Sequence, residues 1–535
     1  MDSKINASGA TPSLDGNVPL VIDVDNAASE DEKAPKRSVA DESEDLVISE
    51  PCGSTFETYK NFNTLSMLSL AVSLMATWEA LCSTMGSGLI SGGPVSLVYG
   101  FITAFIGSIC TAMSLSEPAS MFPSAGGQYH FVAELSSPKY KPVLSWFSGW
   151  LTLLGWLALT ASAPYGSGNL IQGLIILNNP NYTPERWHGT LIYIFVLVIA
   201  FILNIWGSRM LPMLENLIMV FHILFFFAML LAVTIIPPAR HSPEFVFTFF
   251  QNNSGWENDG IAWCLGLLTS AYVMVGYDSA THMSEEMQNP RVGVPRAMIG
   301  SLVLNGTMGF ALLIAILFGM GDLKTALETP TRFPIIGIFS YMTRNNLAAT
   351  SAMVCTIIIS ASLATVGLLA STSRTLWAYA RDGAPPFCLW LSKLDRKRHI
   401  PSNAVISSTA LLVLLGLLNI ASTTAFNAIL SLTVVTLCLS YLLPIIAMLY
   451  RRTRTPEKLS YGPWCLPPKI GIMVNIVAVC FNVFICVFLI LPPFQPVTAT
   501  NMNYAGVVLG SVLILISIDW LFRGRKVYTG PRTSL

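Results

Sequence analysis

The sequence predicts an all-α integral membrane protein of about twelve transmembrane helices. Three observations predict it. Hydrophobic residues make up 53% of the 535 positions and charged residues only 11%, whereas a soluble domain carries about 25% charged residues. The charge is uneven: residues 1–60 hold thirteen acids and five bases, and the other 475 residues hold seventeen acids and twenty-five bases. That long stretch is cut into apolar runs of roughly 19–35 residues, where about 20 suffice to cross ~30 Å of hydrocarbon. It has too few charges to cover a water-facing globule.

Residues 1–60 read as a disordered acidic cytoplasmic tail, rich in Ser, Asp, Glu, Asn and Pro and without an aromatic before Phe56. Such a start is not a cleaved signal peptide. Residues 61–525 carry the spans, and 526–535 form a short cytoplasmic C-terminal tail. The apolar runs lie near 66–90, 95–117, 142–177, 189–207, 211–236, 259–284, 297–319, 347–373, 403–421, 424–450, 470–492 and 504–522.

Lys and Arg concentrate in cytoplasmic loops of membrane proteins. With the tail inside, the cytoplasmic segments would be 1–65, 118–141, 208–210, 285–296, 374–402, 451–469 and 523–535, and they contain 25 of the 30 Lys and Arg. Only Arg186, Arg240, Lys324, Arg332 and Arg344 fall outside. Both termini are therefore expected in the cytoplasm, and the plasma membrane is the expected location. Asn181-Tyr182-Thr183 and Asn252-Asn253-Ser254 are glycosylation acceptor patterns in expected exterior loops.

The ten cysteines lie mostly in apolar runs and suggest no disulfide framework. No basic patch interleaved with aromatics points to nucleic acid. The six histidines are scattered, without a metal-binding pair or a nucleophile–base set, so neither an enzyme nor a cofactor is expected.

Two spans look interrupted. The first contains Gly86-Ser87-Gly88 and then Gly92-Gly93-Pro94; the sixth contains Gly276-Tyr277-Asp278-Ser279. Broken helices at corresponding positions of two halves point to a transporter binding site, where half-helix N–H groups meet a carboxylate and unwound carbonyls meet a cation. The plainer reading is close packing by small residues.

Ionisable groups at membrane depth cost roughly 2.5–3.5 kcal/mol each on insertion scales. Glu79, His222 and Asp278 are the deep ones. Glu117, Glu215, Glu285, Glu286 and Asp519 sit near span ends, where interfacial solvation explains them. Glu79 could meet a substrate ammonium or serve as a structural carboxyl. Asp278 could tie the unwound segment or sense substrate. His222, with an ordinary pKa near 6.5, suits a proton relay, although a lone buried histidine is often only a core residue. Trp78, Tyr272 and Tyr277 could form an aromatic wall or simply pack.

Taken together these segments resemble the amino acid–polyamine–organocation (APC) permease superfamily, and within it the fungal amino acid/choline transporter branch with its GABA and choline permeases. The resemblance covers roughly residues 58–525. It is carried by Thr77 to Thr84 leading into Gly86-Ser87-Gly88, by Pro123-Ser124-Ala125-Gly126-Gly127-Gln128-Tyr129, by Tyr272 to Ser279, by Glu285 to Pro290 with Val294-Pro295-Arg296-Ala297, and by Ser373-Arg374 with Ala378 to Gly383. It implies a 5+5 inverted repeat with helices 1 and 6 broken and two helices appended. With the deep carboxyl of Glu79 added from the reading above, it also implies a substrate site drawn from Ser83, Thr84, Gly86, Ser87, Gly88, Tyr272, Gly276 and Asp278. His222 matches the place of a span-five lysine in some proton-coupled bacterial relatives. The implied function is a secondary permease (a symporter) for amino acids or related small amines such as GABA or choline, coupled to protons rather than sodium. The alternatives are a transporter of a pathway metabolite, for import or export, and a non-transporting nutrient receptor, which the short C-terminal tail disfavours.

Overall fold

The structure, a computed structural model, describes residues 60–531 apart from 180, 422–424 and 500. The predicted acidic tail lies outside the described residues except for Lys60.

Among the described residues ten helices are long and apolar enough to cross a membrane. They are Thr64–Ile90, Gly93–Met121, Lys141–Asn178, Arg186–Trp206, Ser208–Ile235, Pro290–Gly319, Leu347–Arg381, Ala428–Arg454, Pro468–Phe488 and Ala505–Val527. Two further elements complete the predicted set. The sixth is split into Asp259–Tyr272 and Ser279–His282, and the ninth is Ser402–Ala421.

The sequence starts these helices by ordinary chemistry. Asn63 and Ser66 form a reciprocal cap on the first, with Ser66 N donating to Asn63 Oδ1 at 2.8 Å. Asn258 accepts from two backbone N–H groups at the head of the sixth, and Asn346 from Ala349 at the head of the eighth. Proline sits in the first turn of the second, third, fifth, seventh and eleventh, where its missing N–H costs nothing.

The packing has a two-fold pattern. The second span packs on the seventh, the third on the eighth and the fourth on the ninth. Exchanging the first five spans for the next five maps each of these pairs onto itself. The same exchange turns the contact of spans one and seven into that of spans six and two, and the contact of spans one and five into that of spans six and ten; all four occur. This is the packing expected of two interlocked repeats. Of the ten long helices, spans one, three and ten are the most buried, while spans five and twelve expose much of their apolar surface, as lipid-facing helices do.

Within the expected C-terminal tail, the described residues reach 531. Tyr528 is buried against Trp146, with its hydroxyl donating to Ser145 Oγ at 3.1 Å.

Candidate functional site

The break in span one is not where the glycines predicted it. The chain turns at Ala76, which adopts a left-handed conformation with φ 41°. Two groups from other spans hold this turn. Asn305 Nδ2 of span seven donates to the Val72 carbonyl at 3.1 Å. Thr77 Oγ1 donates to the Val273 carbonyl at 2.8 Å, where span six begins to unwind. Gly86–Ile90 is itself helical, after only a slight hitch at Met85. The glycine at 88 is there for packing: a Cβ on it would stand 2.4 Å from Leu97 Cδ2. Thr269 of span six then fastens this half, donating to the Thr84 carbonyl at 2.7 Å and accepting from Gly88 N at 3.2 Å.

The break in span six falls as predicted, between Tyr272 and Ser279. Gly276 has φ +102°, and a Cβ there would stand 3.1 Å from Leu74. The two breaks, at Ala76 and at 273–278, thus face each other.

Glu79 lies one turn beyond Ala76, and its Oε1 is 2.8 Å from His222 Nδ1 of span five. The two side chains are 0% and 2% exposed. The Trp78 ring lies against the imidazole at 5.9 Å between centroids. Glu79 Oε2 and His222 Nε2 have no hydrogen-bond partner among the described residues. Uncompensated polar atoms in such a place are costly.

Glu79, Ser83, Thr84 and Tyr272 border a small chamber of about 40 Å³, together with Ala76 and Ser162. The Tyr272 hydroxyl is hydrogen-bonded to Ser162 Oγ at 2.6 Å. Ser83 and Thr84 also border a second cavity of about 410 Å³, within the usual size of a ligand site. That vestibule includes Gly86 and Ser87 and reaches the face carrying Glu185, Arg186 and Arg332. Gly88, Gly276 and Asp278 border neither cavity.

Asp278 instead ties the broken segment. It accepts from Gln128 Nε2 at 2.6 Å, Trp156 Nε1 at 3.1 Å and the Tyr441 hydroxyl at 2.8 Å. The His282 ring is 3.4 Å away. Tyr277 packs on Tyr441 rather than facing the chamber, at 5.7 Å between ring centroids.

On the opposite face from the vestibule the chain is closed by residues of the sequence motifs. Arg381 makes two bonds to Glu285, at 2.7 and 2.8 Å, and Arg374 bonds Glu286 at 2.8 Å. Ala125 N donates to Glu285 and Tyr129 OH to Asp382. Gly127, with φ +58°, lets the chain pass His282: a Cβ there would stand 2.8 Å from the ring. Burial pushes the Glu285 carboxyl up, but the Arg381 guanidinium outweighs it and holds it below the usual carboxylate range.

Two carboxyls expected at the solvated ends are buried, and a third, Glu285, is partly exposed but paired. Glu117 is 0% exposed and is paired with Arg452 while accepting from Leu466 N. Glu215 is 1% exposed and bonded to Ser73. Glu285 is held by Arg381 as described. Glu215 is the residue that sequence reading passed over; its seven-residue spacing from His222, two turns on one helix face, was the available signal.

Of the glycosylation patterns, Asn181 is exposed in the loop after span three. Asn252 has its amide nitrogen engaged by the Trp256 carbonyl and Asp259, which disfavours it as an acceptor.

A family model described as "Amino acid permease" matches residues 62–513. A choline transporter of Saccharomyces cerevisiae is 31% identical over 470 residues, covering 88% of this chain and 82% of that protein. Amino-acid permease 2 of Neurospora crassa is 32% identical over 482 residues, covering 89% and 86%. Amino-acid permease BAT1 of Arabidopsis thaliana is 28% identical, covering 90% and 94%. Among solved structures, a manganese transporter of Eremococcus coleocola superposes with a TM-score of 0.52 at 13% identity, covering 86% of this chain and 95% of that one. That likeness concerns the fold alone.

Proposed function

The chain belongs to the amino acid permease family, and from that premise we propose that it is a secondary permease carrying an amino acid or a related small amine, such as GABA or choline, by proton-coupled alternating access. One observation carries the reading: a carboxyl with an unengaged oxygen borders the chamber, and its other oxygen is bonded to a buried imidazole. Glu79 then receives the ammonium or alkylammonium head, and Tyr272 supplies an aromatic flank. The N–H groups at the start of Thr77–Thr84, which no side chain caps, offer a place for a substrate carboxylate. His222 holds the proton. Its protonation neutralises Glu79, and its deprotonation leaves a carboxylate free for a cation, so proton and substrate charge are linked.

In this reading the face of Arg381 and Glu285 is cytoplasmic, in keeping with the Lys and Arg excess there. The vestibule then opens outward, the motif cluster is the closed inner gate, and both chain ends are cytoplasmic. The plasma membrane is the expected site.

Uptake of labelled amines and amino acids into cells expressing the protein, with and without a proton ionophore, tests the proposal. The expected result is saturable uptake that the ionophore abolishes. Ionophore-insensitive uptake would overturn the proton coupling; no uptake of any amine or amino acid would overturn the whole.

A further inference from the structure

Seven residues before His222, about 10 Å along the same helix face, lies the buried carboxyl of Glu215. Its Oε2 is 2.5 Å from Ser73 Oγ of span one. Its Oε1 has no partner among the described residues and abuts span eight, where a Cβ on Gly367 would stand 3.1 Å away. Ser73 precedes the Ala76 turn by three residues, so Glu215 grips the first half-helix, Thr64–Met75, while His222 grips the second.

Ser73 Oγ also lies 3.1 Å from the Leu70 carbonyl. A hydroxyl has one proton to donate. If Glu215 is protonated, it donates to Ser73, Ser73 donates to Leu70, and the chain of bonds is complete. If Glu215 is ionised, Ser73 must turn to it, the bond to Leu70 is lost, and the carboxylate keeps an oxygen without a donor.

No ion pair relieves that state among the described residues. The charged groups of the packed elements are engaged elsewhere or exposed. Glu79 of span one is on His222, Arg374 of span eight is on Glu286, and Arg209 ahead of span five is on the Lys397 carbonyl. Arg291 and Arg296 of span seven are exposed.

We propose that Glu215 is a second protonation site of the transport cycle, whose neutral form holds the half-helix Thr64–Met75 against span five and whose ionised form releases it. The proposal rests on the proton-coupled reading, which it deepens. Release breaks the carboxyl O–H bond, the proton passes to water on the 207–210 side, and the carboxylate is hydrated as the half-helix leaves. Glu215 acts through Ser73 and is a positioning residue.

The test is substrate exchange in proteoliposomes at equal pH on both sides, which needs no gradient. Wild-type exchange should rise with pH, by up to about tenfold per unit for one titrating group. Glu215→Gln keeps a neutral donor to Ser73 and should exchange slowly at every pH, while substrate still raises its melting temperature. Ser73→Ala, a small change that removes the relay, should exchange faster at acid pH and show a shallower pH dependence than wild type. Glu215→Gln combined with Ser73→Ala should recover exchange. A Ser73→Ala profile matching wild type would overturn the proposal even where Glu215→Gln fails to fold. This outcome is separate from ionophore sensitivity of uptake, which tests the parent reading alone.

Discussion

His222 Nδ1 and Glu79 Oε1 meet at 2.8 Å beside the turn that divides span one, with no other partner on their remaining polar atoms among the described residues. One comes from span five and the other from span one, 143 residues apart, so movement of the broken helix must stretch or remake this contact. A buried pair of this kind is weak evidence for stability, because desolvation offsets the Coulomb gain. Its Glu79 member borders the chamber, and the proposed coupling rests on that position.

His222→Ala should therefore lower concentrative uptake by about tenfold, equivalent to about 1.4 kcal/mol, while substrate exchange falls much less. Glu79→Gln should weaken substrate binding as well as uptake. Parallel uptake and counterflow measurements decide it: equal loss of both activities in His222→Ala would mean a structural role.

Asp278→Asn should impair transport with surface expression intact. The amide would turn an N–H₂ group toward Gln128, Trp156 or Tyr441, all of which donate to the carboxylate. Uptake normalised to surface copies is the measurement. A loss explained entirely by missing surface protein would make the residue a fold support.

The glycines of the two breaks should behave differently. Gly88→Ala forces a methyl onto Leu97, and overpacking of this kind costs about 1–3 kcal/mol, read as a lower melting temperature with substrate affinity unchanged. Gly86→Ala meets only Pro334, at 3.5 Å, and should leave stability near wild type. Gly276→Ala adds strain of about 1–3 kcal/mol at a positive φ and should abolish transport. Equal stability of the Gly86 and Gly88 variants would remove the distinction.

The Arg381–Glu285 pair should depend on pH in a defined direction. The Glu285 carboxyl is held below its ordinary value in the folded protein, so its contribution is present above the unfolded value, about 4.3. It is lost as pH falls through the lowered folded value. Glu285→Gln should cost about 1.5–3 kcal/mol at neutral pH, as for hydrogen bonds to a charged group, and the difference from wild type should shrink only in acid. Melting temperatures of purified wild type and variant between pH 3 and 7 test this; a difference constant across that range would be the contrary result.

Much of the molecule was legible in the sequence because a bilayer constrains it severely. Every backbone polar group must be satisfied within its own helix, so apolar run lengths placed the ends of the spans to within about eight residues, and the Gly276-Tyr277-Asp278 segment marked the sixth break. Glu79 and His222 stood out because charges at that depth are rare.

What the sequence could not settle was which irregularity breaks the first helix and which carboxyl faces the chamber. Ala76 carries no local signal. Its left-handed turn is tied to other spans by Asn305, which donates to the Val72 carbonyl, and by Thr77, which donates to the Val273 carbonyl. Gly88, which looked like a break, is a packing surface for Leu97. Asp278 and Glu79 are similar acids on paper; only the neighbours that spans three and ten bring to Asp278 engage both its oxygens, leaving Glu79 with an oxygen to offer. Composition and run length thus determined the membrane fold, because the solvent dictates them locally. The site was decided by tertiary structure, because it is made of contacts between residues far apart in the chain.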